Sequence, residues 1–411
     1  MSRNLNRLSV AGVAFVAAGL LALPPTVAYA HTNDVFTAIA VPSPTYYDLV
    51  FAAADKDTAE VALLPETTPF DDSIFPTGLE IVDEQGYMTH VMEDEDPETS
   101  IPLMAALSMW DHETGEFELG MPLTLPDDIT DVGGLFEGYD VAQVFLTKLL
   151  DSTADGALLT LGVLFGWTET EDAYSYGVYV LSVDPATGLA TPVASLAEDS
   201  EELYIYSVGL ATDPVTGITW LFVLDTGLMT NSAVEIDFDE PLEPPISAAG
   251  SFLEEAPATL EELSVGLETI GDSGIDATAI ELGDLEEFPG IADAFGPNVF
   301  LFGADFDEAG TLWFHYLDVD SEEDLALGLA SAPAPFSLDA AVVDSGLMNL
   351  EDDWEPLFSS PYGLQGLIAV EDGALAATGV GSAAALAPLG AVAVALLGGV
   401  LMLAGRRRRI A

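Results

Sequence analysis

The sequence predicts an all-β chain made of repeated four-stranded units, and three observations carry that prediction. Apolar runs are short and rich in Val, Leu, Phe, Tyr and Thr, as in Tyr179-Val180-Leu181-Ser182-Val183 and Trp220-Leu221-Phe222-Val223. Such side chains fit a pleated, half-buried surface. One turn design recurs between the runs, and its occurrences are spaced by near multiples of a single length.

In chain order the turns are Asp83-Glu84-Gln85-Gly86, Asp111-His112-Glu113-Thr114-Gly115, Asp184-Pro185-Ala186-Thr187-Gly188, Asp213-Pro214-Val215-Thr216-Gly217 and Asp307-Glu308-Ala309-Gly310. The leading Asp accepts bonds from amides two or three residues on, Pro presets φ where it occurs, and the final Gly takes the left-handed conformation that closes a hairpin. Gly78-Leu79 precedes the first turn, Gly209-Leu210-Ala211 the fourth and Gly303-Ala304 the fifth, while Trp220 and Trp313 follow the last two by three residues. These three mark one and the same hairpin of a repeat. Gly86 to Gly217 is 131 residues and Gly217 to Gly310 is 93. The intervals divide into three and two units of about 44–46 residues, near the length of a four-stranded propeller blade. The turns ending at Gly115 and Gly188 supply a second hairpin per unit. Leu260-Glu261-Glu262-Leu263 breaks the pattern and reads as a short helix. Tandem β-sandwiches hold the same hairpins and stand as the alternative.

The pattern resembles the degenerate blades of secreted bacterial β-propellers, where a Gly-Leu-Ala-x-Asp-x-x-x-Gly hairpin alternates with an x-x-x-Asp-x-x-Thr-Gly hairpin. The resemblance implies a ring of blades over most of residues 36–358.

The two ends of the chain carry export signals. Arg3 and Arg7, the apolar stretch from Leu8 to Leu23, and Ala28-Tyr29-Ala30 have the order of a secretory signal peptide over residues 1–30, cut after Ala30 so that the mature chain begins at His31. Residues 31–358 form the β-rich ectodomain and 359–374 a short linker. The uncharged apolar run 383–405 is long enough for a transmembrane helix, and Arg406, Arg407, Arg408 and Arg409 in the tail 406–411 hold its far end in the cytoplasm. Just upstream stands Leu375-Ala376-Ala377-Thr378-Gly379. Pentapeptide, span and basic tail together resemble the sorting signal of sortase-anchored surface proteins of Gram-positive bacteria. The Ala at the second position is similar to the variant of many actinobacteria. The resemblance implies cleavage between Thr378 and Gly379 by a membrane sortase and transfer of the Thr378 carbonyl to an amine of the peptidoglycan peptide, which places the protein outside the cell on the wall.

All 70 acidic residues lie between 31 and 378, against Lys56 and Lys148 as the only bases there, so the ectodomain carries 68 net negative charges. That field repels phosphates and anionic lipid, which excludes nucleic acid as a partner, and it favours cations. Cysteine is absent, so stability comes from core burial rather than disulfides.

Chemistry is hard to find by motif. There is no Gly-x-Ser-x-Gly elbow in the ectodomain, no cysteine nucleophile and no Gly-Lys phosphate loop, and His112-Glu113 lacks the second His of a zinc-protease helix. Asp318, Asp320 and Glu322 begin like a calcium loop, but Glu323 stands where the loop needs Gly. They are the candidate metal ligands, with Ca2+ the one candidate cofactor. The resulting expectation is a wall-anchored surface module without catalytic activity that binds an extracellular protein or glycan. Two competitors stand beside it. One is an extracellular glycoside hydrolase or lyase using carboxylates at a central opening, which acids of raised pKa gathered in one place would mark. The other is a calcium-responsive coat protein.

Overall fold

The computed structural model describes residues 28–31, 34–42, 47–70, 74–82, 85–93, 103–110, 117–153, 156–168, 173–196, 207–225, 230–249, 285–318, 326–349, 355–356, 368–369 and 375–378. β1 (Ala28–His31) stands outside the main sheets. β2 (Asp34–Pro42), β3 (Tyr47–Asp55) and β4 (Val61–Phe70) begin the first sheet. β5 (Ile74–Val82), β6 (Gln85–Glu93), β7 (Leu103–Trp110) and β8 (Phe117–Pro122) form the second. β9 (Val141–Ser152), β10 (Leu158–Trp167), β11 (Ala173–Val183) and β12 (Ala190–Ser195) form the third. β13 (Ser207–Thr212), β14 (Thr219–Asp225) and β15 (Thr230–Glu235) start the fourth. β16 (Ile246–Ala249) then extends the third by pairing with β11, and β17 (Glu286–Glu287) completes the fourth. A short helix, α1 (Pro289–Phe295), leads into β18 (Val299–Phe306), β19 (Leu312–Asp318), β20 (Ala326–Ala332) and β21 (Val343–Leu347), the fifth sheet. β22 (Glu355–Pro356) and β23 (Ile368–Ala369) return to pair with β2, and β24 (Leu375–Thr378) pairs with β1.

Every sheet is antiparallel, and in the second to fifth the first strand lies innermost. β23, β5, β9, β13 and β18 neighbour one another in that order round an axis, and β18 meets β23 again to close the ring. The chain is a β-propeller of five blades, and tandem sandwiches are ruled out. The first blade takes its inner edge, β22 and β23, from the far end of the sequence, so ring closure joins the two ends of the ectodomain.

Between blades the facing sheets bury apolar side chains. Leu107, Leu150, Leu164 and Leu181 pack between the second and third blades, and Leu161, Val180, Leu210 and Leu221 between the third and fourth. Phe222, Phe288, Phe306 and Phe314 fill the space between the fourth and fifth. Phe336 joins that group edge-on, with ring centroids 5.6 Å from Trp220 and 5.4 Å from Phe306. At about 25 cal/mol per Å² of apolar surface buried, this packing is the main favourable contribution.

The turns behave as their residues predict. In Asp213–Gly217, Val215 N–H and Thr216 Oγ1 donate to the two Asp213 carboxylate oxygens at 2.8 Å each, and Gly217 has φ 74°. Asp184–Gly188 repeats this, with Ala186 N–H at 2.9 Å and Thr187 Oγ1 at 2.7 Å. The turns ending at Gly86, Gly217 and Gly310 each join the two innermost strands of a blade, and Trp220 and Trp313 hold matching places, opposite Ala211 and Asp305. The turn ending at Gly188 joins the outer pair of the third blade. Residues 111–116, which connect β7 to β8, lie outside the described residues.

Two expectations are corrected. The unit of about 44–46 residues is too short, because the 131 residues from Gly86 to Gly217 span two blades and the 93 from Gly217 to Gly310 span one. Insertions before β9 and before β17 lengthen the blades. A sixth turn of the same design, Asp55–Ala59, carries alanine in place of the glycine. Asp57 and Thr58 N–H donate to Asp55 Oδ1 at 3.0 and 2.8 Å, and Ala59 takes φ 55°. The helix expected at Leu260–Leu263 lies outside the described residues. So do 383–405; among the described residues no helix is long and apolar enough to cross a membrane.

Lys56, in that overlooked turn, links the first blade to the fifth. Its Nζ lies 4.0 Å from Asp307 Oδ2 and 5.2 Å from the centroid of Trp313, whose Nε1 donates to Asp307 Oδ2 at 3.0 Å. Replacing Lys56 with Met removes both attractions across the ring closure. Chemical denaturation is expected to show a loss of about 0.5–1.5 kcal/mol, with Lys56→Arg retaining most of it. Equal stability of Lys56→Met and wild type would show that the contact contributes nothing.

Candidate functional site

Three carboxyls from three different blades meet near the axis. Glu80 on β5, Asp151 on β9 and Asp305 on β18 each offer an oxygen within 4.8 Å of the other two, and their side chains are 4, 2 and 6% exposed. All three stand one or two residues before the C-terminal end of an inner strand, so they occupy the same end of the ring.

Bulges aim them there. β5 and β18 each slip register against the next strand, between Pro76 and Gly78 and between Phe302 and Ala304. The acid follows the glycine by two residues, as Glu80 after Gly78 and Asp305 after Gly303. Gly303 has φ 69°. On β9 no glycine is present; Leu149 itself takes φ 65°, two residues before Asp151. A leucine in the left-handed region is strained, at a cost on the order of 1–2 kcal/mol. Thr160, facing the bulge, braces it by donating Oγ1 to Leu149 O at 2.6 Å. The bulge presses on the second blade at Gly78, where an added Cβ would lie 2.6 Å from the Leu149 carbonyl carbon. Glycine at 78 is what lets β5 and β9, and with them Glu80 and Asp151, come this close.

Each carboxyl is tethered by hydrogen bonds from outside the cluster. Ile81 N–H donates to Glu80 Oε1 at 3.0 Å, with Ser152 Oγ at 3.4 Å. Thr212 Oγ1, on the fourth blade, makes a short bond to Asp151 Oδ2 and lies 2.9 Å from Thr219 Oγ1. Phe306 N–H donates to Asp305 Oδ1 at 2.8 Å. Glu80 Oε2 is buried with no hydrogen-bond partner.

Burial chiefly, and then the charges of Asp305 and Asp151, push the Glu80 carboxyl well above the ordinary range. Asp151 is raised too, by burial first and Asp305 second, against the opposing bond from Thr212. Next to the bulge, burial lowers Lys148 to about 7.

The sequence-predicted residues fall elsewhere. Asp318 ends β19 opposite Val299, at the other end of the fifth blade from Asp305, which lies opposite Trp313. Asp320 and Glu322 lie outside the described residues. Ala28, Ala30 and His31 lie in β1, paired with Thr378, Ala376 and Leu375 respectively in β24, and Ala377 faces Tyr29. Gly379 and Arg406–Arg409 lie outside the described residues.

No family model matches the chain, and no curated protein does. Solved structures do. An arabinanase from Bacillus subtilis matches at 8% identity over 66% of this chain and 80% of its own, TM-score 0.28. An α-L-arabinofuranosidase from Clostridium thermocellum matches at 10% over 67% and 72%, TM-score 0.32. A Bacteroides uniformis protein carrying the name of a 6-phosphogluconolactonase matches at 11% over 79% and 83%, TM-score 0.31. Likeness this distant transfers no reaction to this chain. The expectation of a module without catalytic activity is nonetheless corrected. The mark set for the competing hydrolase, acids of raised pKa gathered in one place, is met by Glu80 and Asp151.

Because these two carboxyls hold protons more tightly folded than unfolded, stability from them is full below the ordinary carboxylate pKa and is lost as pH rises through the raised values. In metal-free buffer the melting temperature of wild type, relative to Glu80→Gln, is expected to fall from mildly acid to neutral pH. Parallel pH curves for the two proteins would contradict the raised values.

Proposed function

We propose that the protein is an extracellular glycoside hydrolase working through Glu80, Asp151 and Asp305. The observation that carries this reading is the meeting of three carboxyls from three blades at one end of the ring axis. Hydrolysis of a glycosidic bond needs one neutral carboxyl to protonate the leaving oxygen and one ionised carboxylate to attack the sugar or activate water. Glu80, raised by burial and by two acidic neighbours, is the proton donor. Asp151 is raised as well, but the Thr212 hydroxyl and the backbone N–H groups of Ser152 and Thr212 pull it back toward ionisation and its charge in turn raises Glu80, so it is assigned as the ionised partner. Asp305 keeps the Glu80 proton in place by its charge.

One oxygen of each carboxyl lies within 4.8 Å of the others, close enough for the acid and its charged partner to act on one glycosidic bond, and the anomer of the first product decides between retention and inversion. The charge of the ectodomain favours neutral or basic glycans over polyanionic ones.

Release of reducing sugar from a panel of neutral polysaccharides and aryl glycosides is the direct test. Asp151→Asn and Glu80→Gln are each expected to lower kcat by about 10²–10⁴-fold, with the anomer of the first product read by NMR. Wild-type turnover no greater than that of Asp151→Asn on every substrate would overturn the reading.

The enzyme is displayed on the cell wall in this proposal, supported by the signal peptide, the Leu375–Gly379 pentapeptide, the apolar run and the four arginines. Intact mass of protein released by a peptidoglycan hydrolase should show a chain ending at Thr378 with a wall-peptide adduct, absent in Thr378→Ala. Release by detergent alone, with Arg406–Arg409 attached, would make it a plain membrane-anchored protein.

A further inference from the structure

We infer that the Glu80–Asp151–Asp305 cluster is also a binding site for one hard divalent cation such as calcium, and that the loaded form is a resting state of the protein. The inference shares its side chains with the proposed hydrolase and rests on that reading only for the effect on activity.

Geometry comes first. Three oxygens spaced by 4.8 Å or less lie within about 2.8 Å of a common centre. That bound is compatible with the roughly 2.3–2.6 Å of calcium–oxygen bonds. The donor set is all carboxylate oxygen, which hard cations prefer over transition metals.

The site is also built rather than accidental. One oxygen of each acid is held from outside the cluster: Glu80 Oε1 by Ile81 N–H, Asp151 Oδ2 by Thr212 Oγ1 and Asp305 Oδ1 by Phe306 N–H. Such outer bonds fix the orientation of ligating carboxylates. Glu80 Oε2 is buried without any hydrogen-bond partner in a side chain only 4% exposed. A buried polar atom in that state is costly unless something satisfies it.

Burial argues in the same direction: carboxylates 2–6% exposed carry their charge at a cost that a counter-ion offsets. A bound cation engages the same three carboxyls that the proposed reaction needs. Calcium and turnover are therefore mutually exclusive at this site, and removal of the ion frees the acids.

The test is calorimetric and thermal titration of the chelator-stripped, full-length protein with calcium chloride. About 0.5 M NaCl throughout screens the remaining surface acids. Wild type should bind one ion per chain and gain several degrees in melting temperature. Glu80→Gln, which preserves shape, and Asp305→Asn should bind at least tenfold more weakly and lose most of the gain, with unchanged circular dichroism. An equal calcium response in wild type and both variants would assign it to the surface acids and overturn the inference, as would a wild type that does not respond. A calcium response dependent on Glu80 in a protein that cleaves no glycan leaves the cation site standing and removes the hydrolase. Glycan cleavage unaffected by calcium removes the resting-state device and leaves the hydrolase.

Discussion

The scarcity of positive charge constrains everything else in this molecule. With two lysines against 70 acids in the ectodomain, ion pairs cannot hold the fold, and mutual repulsion works against any compact state at low ionic strength. The structure answers by burying apolar surface between broad sheet faces and by arranging the sheets in a ring, where every blade has two neighbours. Acids in the described turns, such as Asp184 and Asp213, take up the amides of their own turns. One of the two lysines, Lys56, is spent where the ring closes.

Against that background three acids turned inward are costly. Each reaches the axis because its strand is broken by a bulge, and in the third blade the bulge forces Leu149 into a conformation that glycine holds in the fifth. Strain of this kind is kept where a side chain must be aimed, and here it aims a carboxyl at two others. The contact between Gly78 and the Leu149 bulge shows how the backbone was shaped to bring two blades close enough for Glu80 and Asp151 to interact.

The strands and hairpins were legible because a local code writes them: alternating β-branched and aromatic residues, then Asp, then Gly. Ring geometry was legible only in part. The glycines at 86, 217 and 310 do occupy corresponding hairpins, but insertions broke the arithmetic that counted blades between them. The Asp55–Ala59 turn escaped notice because alanine fills the left-handed position. The site itself lay one residue beyond what was read: Gly78-Leu79 and Gly303-Ala304 were marked as a repeat, and Glu80 and Asp305 are the next residues. Among 70 acids neither stood out, and Asp151 has no glycine to announce it. Burial by strands distant in sequence separates these acids from the rest, and that is a property of the ring rather than of any segment.

Both ectodomain lysines are buried, Lys56 at 8% and Lys148 at 2% exposure, and no arginine lies between residues 31 and 378. The folded ectodomain therefore shows the outside world no side-chain amine and no guanidinium. Trypsin-like proteases, which need an accessible basic residue, find no place to begin, and amine-directed cross-linkers or reducing sugars meet only the chain's first nitrogen.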